Sequence, residues 1–159
     1  MERADGSAGV YGVVEKPTAA LVIAAERDGF WLVEQFRHPL GRRSWEFVQG
    51  TWPTGGGGTA EELARAELAE ETGLRSGALR HLGRIDIAPG LTDQQTDVWL
   101  ATDLTPGPTA REATEADMRQ QFVPEAELYA MVRDGRFTDA PSLAALSLVL
   151  LDRTSAPEE

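Results

Sequence analysis

Residues 50–74 decide the fold: they read GTWPTGGGGTAEELARAELAEETGL, a glycine-rich loop that runs into a strongly acidic segment. Thr59 followed by Glu62 three residues later is a capping-box pattern, which predicts a helix that begins near Ala60. Gly73 is placed to end this helix, because glycine readily adopts the left-handed conformation found at helix ends. The pattern therefore predicts a loop followed by a helix with defined ends.

The last turn of this predicted helix carries Glu70 and Glu71, at a position where a helix disfavours carboxylates. Glu67 lies three residues before Glu70 and four before Glu71, so the three side chains project from neighbouring positions on the helix. Mutual repulsion and the helix macrodipole both destabilise such an arrangement. A hard divalent cation reverses this effect, because carboxylate oxygens are preferred ligands of Mg²⁺ and Mn²⁺. The pattern indicates a metal site, with a solvated acidic face as the alternative.

Composition limits the classes of protein to consider. The chain has 159 residues, 42% of them hydrophobic, which fits one domain spanning residues 1–159. It has no cysteine, which excludes disulfides and thiol nucleophiles. A formal charge of -11 disfavours polymeric nucleic acid as a partner. Without a signal-peptide core or a run of roughly 20 apolar residues, we expect a cytoplasmic protein that does not enter a membrane.

Apolar segments on both sides of the acidic helix predict a mixed β-sheet. The turn signal Arg27-Asp28-Gly29 separates the first two of these segments and predicts a hairpin. The predicted strands cover residues 18–25, 30–36, 44–48, 78–87, 96–101 and 118–123. Two further helices are predicted at residues 124–133 and 142–151, and residues 153–159 are expected to form a frayed tail.

The segment AELAEETGL, Ala66 to Leu74, resembles the second half of the signature of Nudix hydrolases. That half is written REUXEEXGU, with U an aliphatic residue. Four flanking segments resemble, in order, the ADP-ribose pyrophosphatase branch: VVEKPTAALVIA, VEQFRHPLGRRSWEFVQG, IAPGLTDQQTDVWLATDLTPG and DGRFTDAPSLAALSLVLL. The resemblance covers nearly the whole chain. It implies an α/β fold of the Nudix type, an α/β/α sandwich with a mixed sheet.

The signature departs from the family pattern. Its arginine falls on Ala66 and its first glutamate on Gly58. Its leading glycine, matched to Gly50, lies two residues farther from Glu67 than the pattern requires. The family arginine usually orients the metal-binding glutamates, and Arg65 points about 100° around the helix from that position. We therefore expect a degenerate box and a weaker metal site.

The resemblance implies a ligand set for the metal. Glu67 and Glu71 are expected to bind Mg²⁺ or Mn²⁺, with the backbone carbonyl of Gln49 as a further contact. Glu70 lies next to these ligands and is expected to take part in catalysis.

In the resembled branch, a loop before the last strand supplies a glutamate that acts as the base or positions the water. The segment TAREATEADM lies at this place. Glu115 fits this role best by its distance from the strand, with Glu112 second. A solvated acidic loop is the alternative.

Arginine and tryptophan residues near the predicted metal site are candidates for substrate binding. Arg37 matches an arginine of the resembled branch, and its planar fork suits diphosphate oxygens. Trp45 and Glu46 are the other expected substrate contacts. Trp45 and Trp52 flank Gly50, and either one is suited to stack on a base.

The resemblance implies an enzyme, a homodimer paired through its N-terminal strands, that hydrolyses a nucleoside diphosphate sugar. The expected reaction converts ADP-ribose into AMP and ribose 5-phosphate. One alternative is a Nudix-like nucleotide-binding or regulatory module without turnover, because Gly58 and Ala66 replace two signature residues. Another is a hydrolase for GDP-mannose or a similar nucleotide sugar.

Overall fold

The computed structural model describes residues 1–155 and contains seven strands and three α-helices. The strands are β1 (Ala19–Glu26), β2 (Gly29–Arg37), β3 (Arg42–Glu46), β4 (Val48–Gly50), β5 (Leu74–Asp86), β6 (Gln95–Pro106) and β7 (Arg119–Pro124). The helices are α1 (Ala60–Thr72), α2 (Glu125–Arg133) and α3 (Ala140–Ser155). Two short 3₁₀ helices cover His38–Leu40 and Ala113–Glu115.

Strand β1 is the centre of a mixed sheet. It pairs in parallel with β6, and β6 continues antiparallel to β5. On its other edge, β1 pairs antiparallel with β4 along its first half and with β2 along its second half. Strands β3 and β7 pair antiparallel with the two edges of β2. This arrangement confirms the predicted mixed sheet.

Helices cover both faces of the sheet. Successive side chains of a strand point to opposite faces, so β1 contributes to two separate cores. The core beneath α1 includes Ala20, Val22, Val48, Leu63 and Leu68. The core beneath α2 and α3 includes Leu21, Ile23, Leu128, Leu146 and Val149. The predicted α/β/α sandwich is confirmed.

Helix α1 begins and ends where the sequence predicted. The Thr59 side chain accepts a hydrogen bond from the Glu62 amide at 3.1 Å, and the Glu62 carboxylate accepts one from the Thr59 amide at 2.7 Å. Gly73 ends the helix with φ of 71°, and its amide donates to the Ala69 carbonyl at 2.9 Å. The caps fix the register of the glutamates along α1.

The predicted strand at residues 44–48 is interrupted at Phe47, which separates β3 from β4. The amide of Phe47 donates to the hydroxyl of buried Ser142 at 2.9 Å, so it makes no strand hydrogen bond. Strand β4 then crosses to β1, where Gly50 pairs with Ala20. This crossing brings Gln49 and Gly50 beneath α1.

Several predicted element ends differ from the structure, and strand β6 continues to Pro106 rather than ending at residue 101. Strand β5 begins at Leu74, directly after the cap of α1, rather than at residue 78. Helix α3 continues to Ser155, and Arg153 in its last turn donates to Glu125 at 2.6 Å. The remainder of the predicted tail, residues 156–159, lies outside the described residues. No helix within residues 1–155 is long and apolar enough to span a bilayer.

Candidate active site

A polar cavity of about 520 Å³ lies where β4, α1 and the loop before β7 meet. Six of the nine site residues predicted from the sequence line it: Arg37, Gln49, Glu67, Glu70, Glu112 and Glu115. Glu71, Glu46 and Trp45 do not line it. The cavity therefore brings helix α1 together with the loop before β7 that carries Glu112 and Glu115.

Half-buried Glu67 and buried Glu71, one turn apart on α1, form an acidic wall, and of the two only Glu67 lines the cavity. Glu71 is 1% exposed, and neither of its carboxylate oxygens has a hydrogen-bond partner within the described residues. Burial raises the pKa of Glu71 well above its usual range, and nearby Glu115 and Glu67 raise it further. Burial also raises the pKa of Glu67 to about 7, with Glu70, Glu115 and Glu112 adding to the effect. Buried carboxylates without partners are costly, so this wall favours a positive ligand.

Gly50 provides the space that the Glu67 carboxylate occupies. A Cβ built on Gly50 would overlap the Cδ and both oxygens of Glu67. The backbone of β4 therefore approaches the acidic helix more closely than any other residue type would allow. The donor chemistry fits a hard divalent cation: two crowded carboxylates, one of them with unsatisfied oxygens, stand against a close backbone.

Side chains alone do not complete a metal coordination shell here. Within residues 1–155, no three Asp, Glu or His side chains converge closely enough to hold a metal ion by themselves. Magnesium sites commonly use only one or two carboxylates and take their other oxygens from water and substrate phosphates. The backbone carbonyl of Gln49, predicted as a further contact, would be another such oxygen ligand from outside the carboxylates.

Arg37 reaches the cavity from β2 and is held by buried Glu46. Its Nε donates to Glu46 Oε1 at 3.0 Å, and its Nη2 donates to Oε2 at 2.5 Å. The arginine side chain keeps 37% exposure while that of Glu46 keeps 1%. Glu46, predicted as a substrate contact, thus lies behind Arg37 and fixes the orientation of its guanidinium.

The side chain of Gln49 connects this ion pair to the start of α3. Its Nε2 donates to Glu46 Oε2 at 3.0 Å and to Asp139 Oδ2 at 3.4 Å. Asp139 Oδ2 in turn accepts from the Ser142 amide at 3.0 Å. Asp139 was not predicted as a site residue: the helix was predicted to begin at residue 142, whereas it begins at Ala140, directly after Asp139.

The two tryptophans considered for base stacking lie in different places. Trp52 lines the cavity, next to the glycine-rich loop. A Cβ on Gly58 would lie 2.9 Å from Trp52 Cζ2, so the indole packs directly against this loop. Trp45 instead packs against the core beneath α2 and α3. Of the two, Trp52 is therefore the residue placed to meet a ligand in the cavity.

Basic residues are few among the described residues that line the cavity, namely Lys16 and Arg37. Lys16 is the only lysine of the chain, and sequence reasoning did not assign it to the site. Its backbone amide donates to Asp93 Oδ1 at 3.0 Å, which holds the segment just before β1 in place. The cavity as a whole is acidic, which suits an anionic substrate only together with bound cations.

Comparison with known proteins assigns the class. The model of the NUDIX domain matches residues 15–146, and the chain belongs to the Nudix family. The predicted resemblance is confirmed, and the protein is a Nudix hydrolase.

Two named relatives are similar to this chain in sequence. The chain is 34% identical over 139 residues to the ADP-ribose pyrophosphatase of Mycobacterium tuberculosis, covering 86% of this chain and 67% of the relative. It is 33% identical over 116 residues to the ADP-ribose pyrophosphatase of Bacillus subtilis, covering 72% of this chain and 62% of that protein. The matched region thus spans about two thirds of the length of these relatives.

A solved structure described as an ADP compounds hydrolase has the same fold. Its TM-score is 0.81, and the match covers 97% of this chain and 84% of that one. At 23% sequence identity, this likeness concerns the fold.

Proposed function

We propose that the protein hydrolyses the diphosphate linkage of ADP-ribose, with AMP and ribose 5-phosphate as products, and that it needs a divalent cation, Mg²⁺ or Mn²⁺. The observation that carries the metal requirement is the pair of unpartnered oxygens on buried Glu71. The names of two relatives above 30% identity support the substrate.

Glu67, Glu71 and the carbonyl of Gln49 hold the cation in this proposal, with Glu70 beside them. When bound, the cation neutralises the diphosphate and makes a water molecule more acidic. The capped helix α1 keeps Glu67 and Glu71 one turn apart, and the tight approach of Gly50 limits the movement of the Glu67 carboxylate.

Glu115 takes the proton from the attacking water, with Glu112 as the alternative base. Both carboxylates line the cavity, and burial together with the nearby charge of Glu115 raises the pKa of Glu71. The oxygen of the water bonds to one phosphorus, and the bond from that phosphorus to the bridging oxygen breaks. The bridging oxygen leaves with the other phosphate, so no covalent enzyme intermediate is needed.

Arg37 binds a diphosphate oxygen through the part of its guanidinium that Glu46 does not engage. The ion pair with buried Glu46 fixes the arginine before substrate arrives, which lowers the entropy lost on binding. Glu46 then serves the substrate through Arg37, and Trp52 replaces Trp45 as the platform for the base.

The protein is further proposed to be a cytoplasmic homodimer. Support for a second copy comes from apolar side chains exposed on the N-terminal segment: Val10, Tyr11, Val13 and Val14. Light scattering coupled to size exclusion measures the mass directly. A monomer at micromolar concentration would contradict the dimer and leave the proposed reaction untouched.

The reaction is tested with a panel of nucleoside diphosphate sugars, each assayed with Mg²⁺ or Mn²⁺ for released nucleoside monophosphate. The purified Glu71→Gln variant serves as control for contaminating hydrolases. We expect ADP-ribose to give the highest kcat/KM. A preference for GDP-mannose would show that GDP-mannose, and not ADP-ribose, is the substrate. A wild-type protein that binds one panel member without turnover would establish the binding-module alternative.

A further inference from the structure

The segment between β6 and β7, residues 107–118, carries both candidate bases and is called the acidic loop below. Arg111 lies in it directly before Glu112. Its guanidinium makes three hydrogen bonds: Nε to the Glu71 carbonyl at 2.7 Å, Nη1 to the Met118 carbonyl at 2.5 Å and Nη2 to Gln120 Oε1 at 3.0 Å. All three acceptors are uncharged groups, so none of these hydrogen bonds pairs the guanidinium with a carboxylate.

The contact with Glu71 fills a deficiency of helix α1. The last carbonyls of a helix lack partners within it and carry partial negative charge. The last turn of α1 contains no basic residue, and its end is instead crowded with carboxylates. Arg111 supplies the missing cation from the acidic loop, and the neighbouring amide of Ala110 donates to the Glu70 carbonyl at 3.0 Å. Two consecutive residues thus bind the two consecutive carbonyls that follow Ala69.

The contact with Met118 closes the acidic loop on itself. Met118 is buried in the core beneath α1, so its carbonyl is a fixed point. Separately, Arg43 of β3 donates to Asp117 Oδ2 at 2.5 Å and to the Asp117 carbonyl at 3.0 Å. The end of the loop nearest β7 is therefore anchored without Arg111. The part that contains Glu112 is joined to α1 through Arg111 and Ala110.

We infer that Arg111 is a positioning residue: it clamps the acidic loop onto the end of α1 and so sets the distance from Glu115 to the carboxylates of Glu67 and Glu71. The catalytic effect in this inference rests on the proposed function, whereas the contacts that form the clamp do not depend on it. A displacement of about 1 Å in a reacting group costs on the order of 100-fold in rate. Loss of the clamp is therefore expected to lower kcat and to leave substrate binding through Arg37 largely intact.

The test compares Arg111→Gln and Arg111→Lys with the matched control Arg119→Gln, which removes a 73% exposed arginine from the adjoining strand. For Arg111→Gln we expect kcat to fall about 10 to 100-fold, with KM and the melting temperature little changed. Arg111→Lys keeps the charge but not the three-point geometry, so it should recover part of the loss. The control should behave as wild type.

Hydrogen exchange of the backbone amides, measured without substrate, tests directly whether the clamp is present. The Ala110 amide should exchange faster in Arg111→Gln than in wild type or the control, because its bond to Glu70 depends on the clamp. An unchanged Ala110 exchange rate would overturn the inference, whatever happens to activity, and so would wild-type kcat in Arg111→Gln. A wild-type protein inactive on every substrate would refute the proposed function, and the exchange comparison would then decide on the clamp alone.

Discussion

The carboxylate of Glu67 occupies the space that a side chain on Gly50 would fill. The two residues come from different parts of the chain, β4 and the middle of α1, and their approach depends on the crossing of β4 to β1. The glycine therefore does more than permit a turn. It lets the backbone that carries the Gln49 carbonyl lie against the carboxylate expected to share a cation with it.

Replacing Gly50 with alanine should displace the Glu67 carboxylate. The atoms in conflict are the far end of a flexible side chain, so we expect the fold to survive and the metal site to be damaged. Mn²⁺ affinity, measured by calorimetry, should fall about 10 to 100-fold. Gly57→Ala is the matched control, since a Cβ there meets nothing within 4 Å. Equal affinities in the two variants would contradict a metal site at Glu67.

Stability of the metal-free protein should fall as pH rises from about 4.5 to about 7. In this range folded Glu67, with its pKa raised to about 7, holds a proton that the unfolded chain releases near its ordinary value of 4.5. Glu71 acts in the same direction, because burial raises its pKa as well. Thermal unfolding in EDTA measures this slope. Glu67→Gln should flatten it and raise the melting temperature above pH 7, and an identical slope in the variant would contradict the burial argument.

Turnover should distinguish the two acids of the loop. Glu115→Gln is expected to lower kcat by roughly two to four orders of magnitude, because it removes the proposed base. Glu112→Gln should have a smaller effect, and both variants should keep the melting temperature of the wild type. If Glu112→Gln shows the larger loss instead, the base is Glu112 and the assignment within the loop is wrong.

Local signals in the sequence were sufficient to predict helix α1 and its caps. Thr59, Glu62 and Gly73 act on backbone groups within a few residues, so their effect does not depend on the rest of the fold. The split between β3 and β4 was not predictable in this way. It depends on the hydroxyl of Ser142, which is distant along the chain and becomes a neighbour of Phe47 only after folding.

The same distinction applies to the candidate site. Glu67 and Glu71 were predicted as metal ligands from their spacing along one helix, and Arg37 was predicted as a substrate contact from a resemblance. Arg111 was not predicted as a site residue, because its partners include the backbone carbonyls of Glu71 in α1 and of Met118 at the end of the acidic loop, which carry no side-chain signal in the sequence. Trp45 and Glu46 were both predicted as substrate contacts, because the sequence does not show that the Trp45 ring packs on the core or that the Glu46 carboxylate binds Arg37.

Restoring the first signature glutamate, by Gly58→Glu, is not expected to repair the box. A Cβ at this position would lie 2.9 Å from both Glu62 Oε2 and Trp52 Cζ2. It would thus disturb the capping box at the start of α1 and the indole that lines the cavity. We expect a lower melting temperature and no gain in Mn²⁺ affinity, as measured by calorimetry on the purified variant. Tighter binding of Mn²⁺ would show that the loop can rearrange around the new side chain.

Ala66→Arg should have the opposite outcome. Ala66 lines the cavity and precedes Glu67, so an arginine there would point toward the acidic wall without meeting the buried core. Its positive charge would offset the repulsion that acts on Glu67 and provide the orienting hydrogen bonds that the family arginine usually makes. We expect half-maximal rate at a lower Mg²⁺ concentration, with maximal kcat changed little. Arg65→Ala provides a contrast, because Arg65 is engaged by Glu61 and the Ser76 carbonyl, and its loss should leave the Mg²⁺ dependence unchanged. A Mg²⁺ requirement that stays the same in Ala66→Arg would contradict the view that the missing signature arginine weakens the metal site.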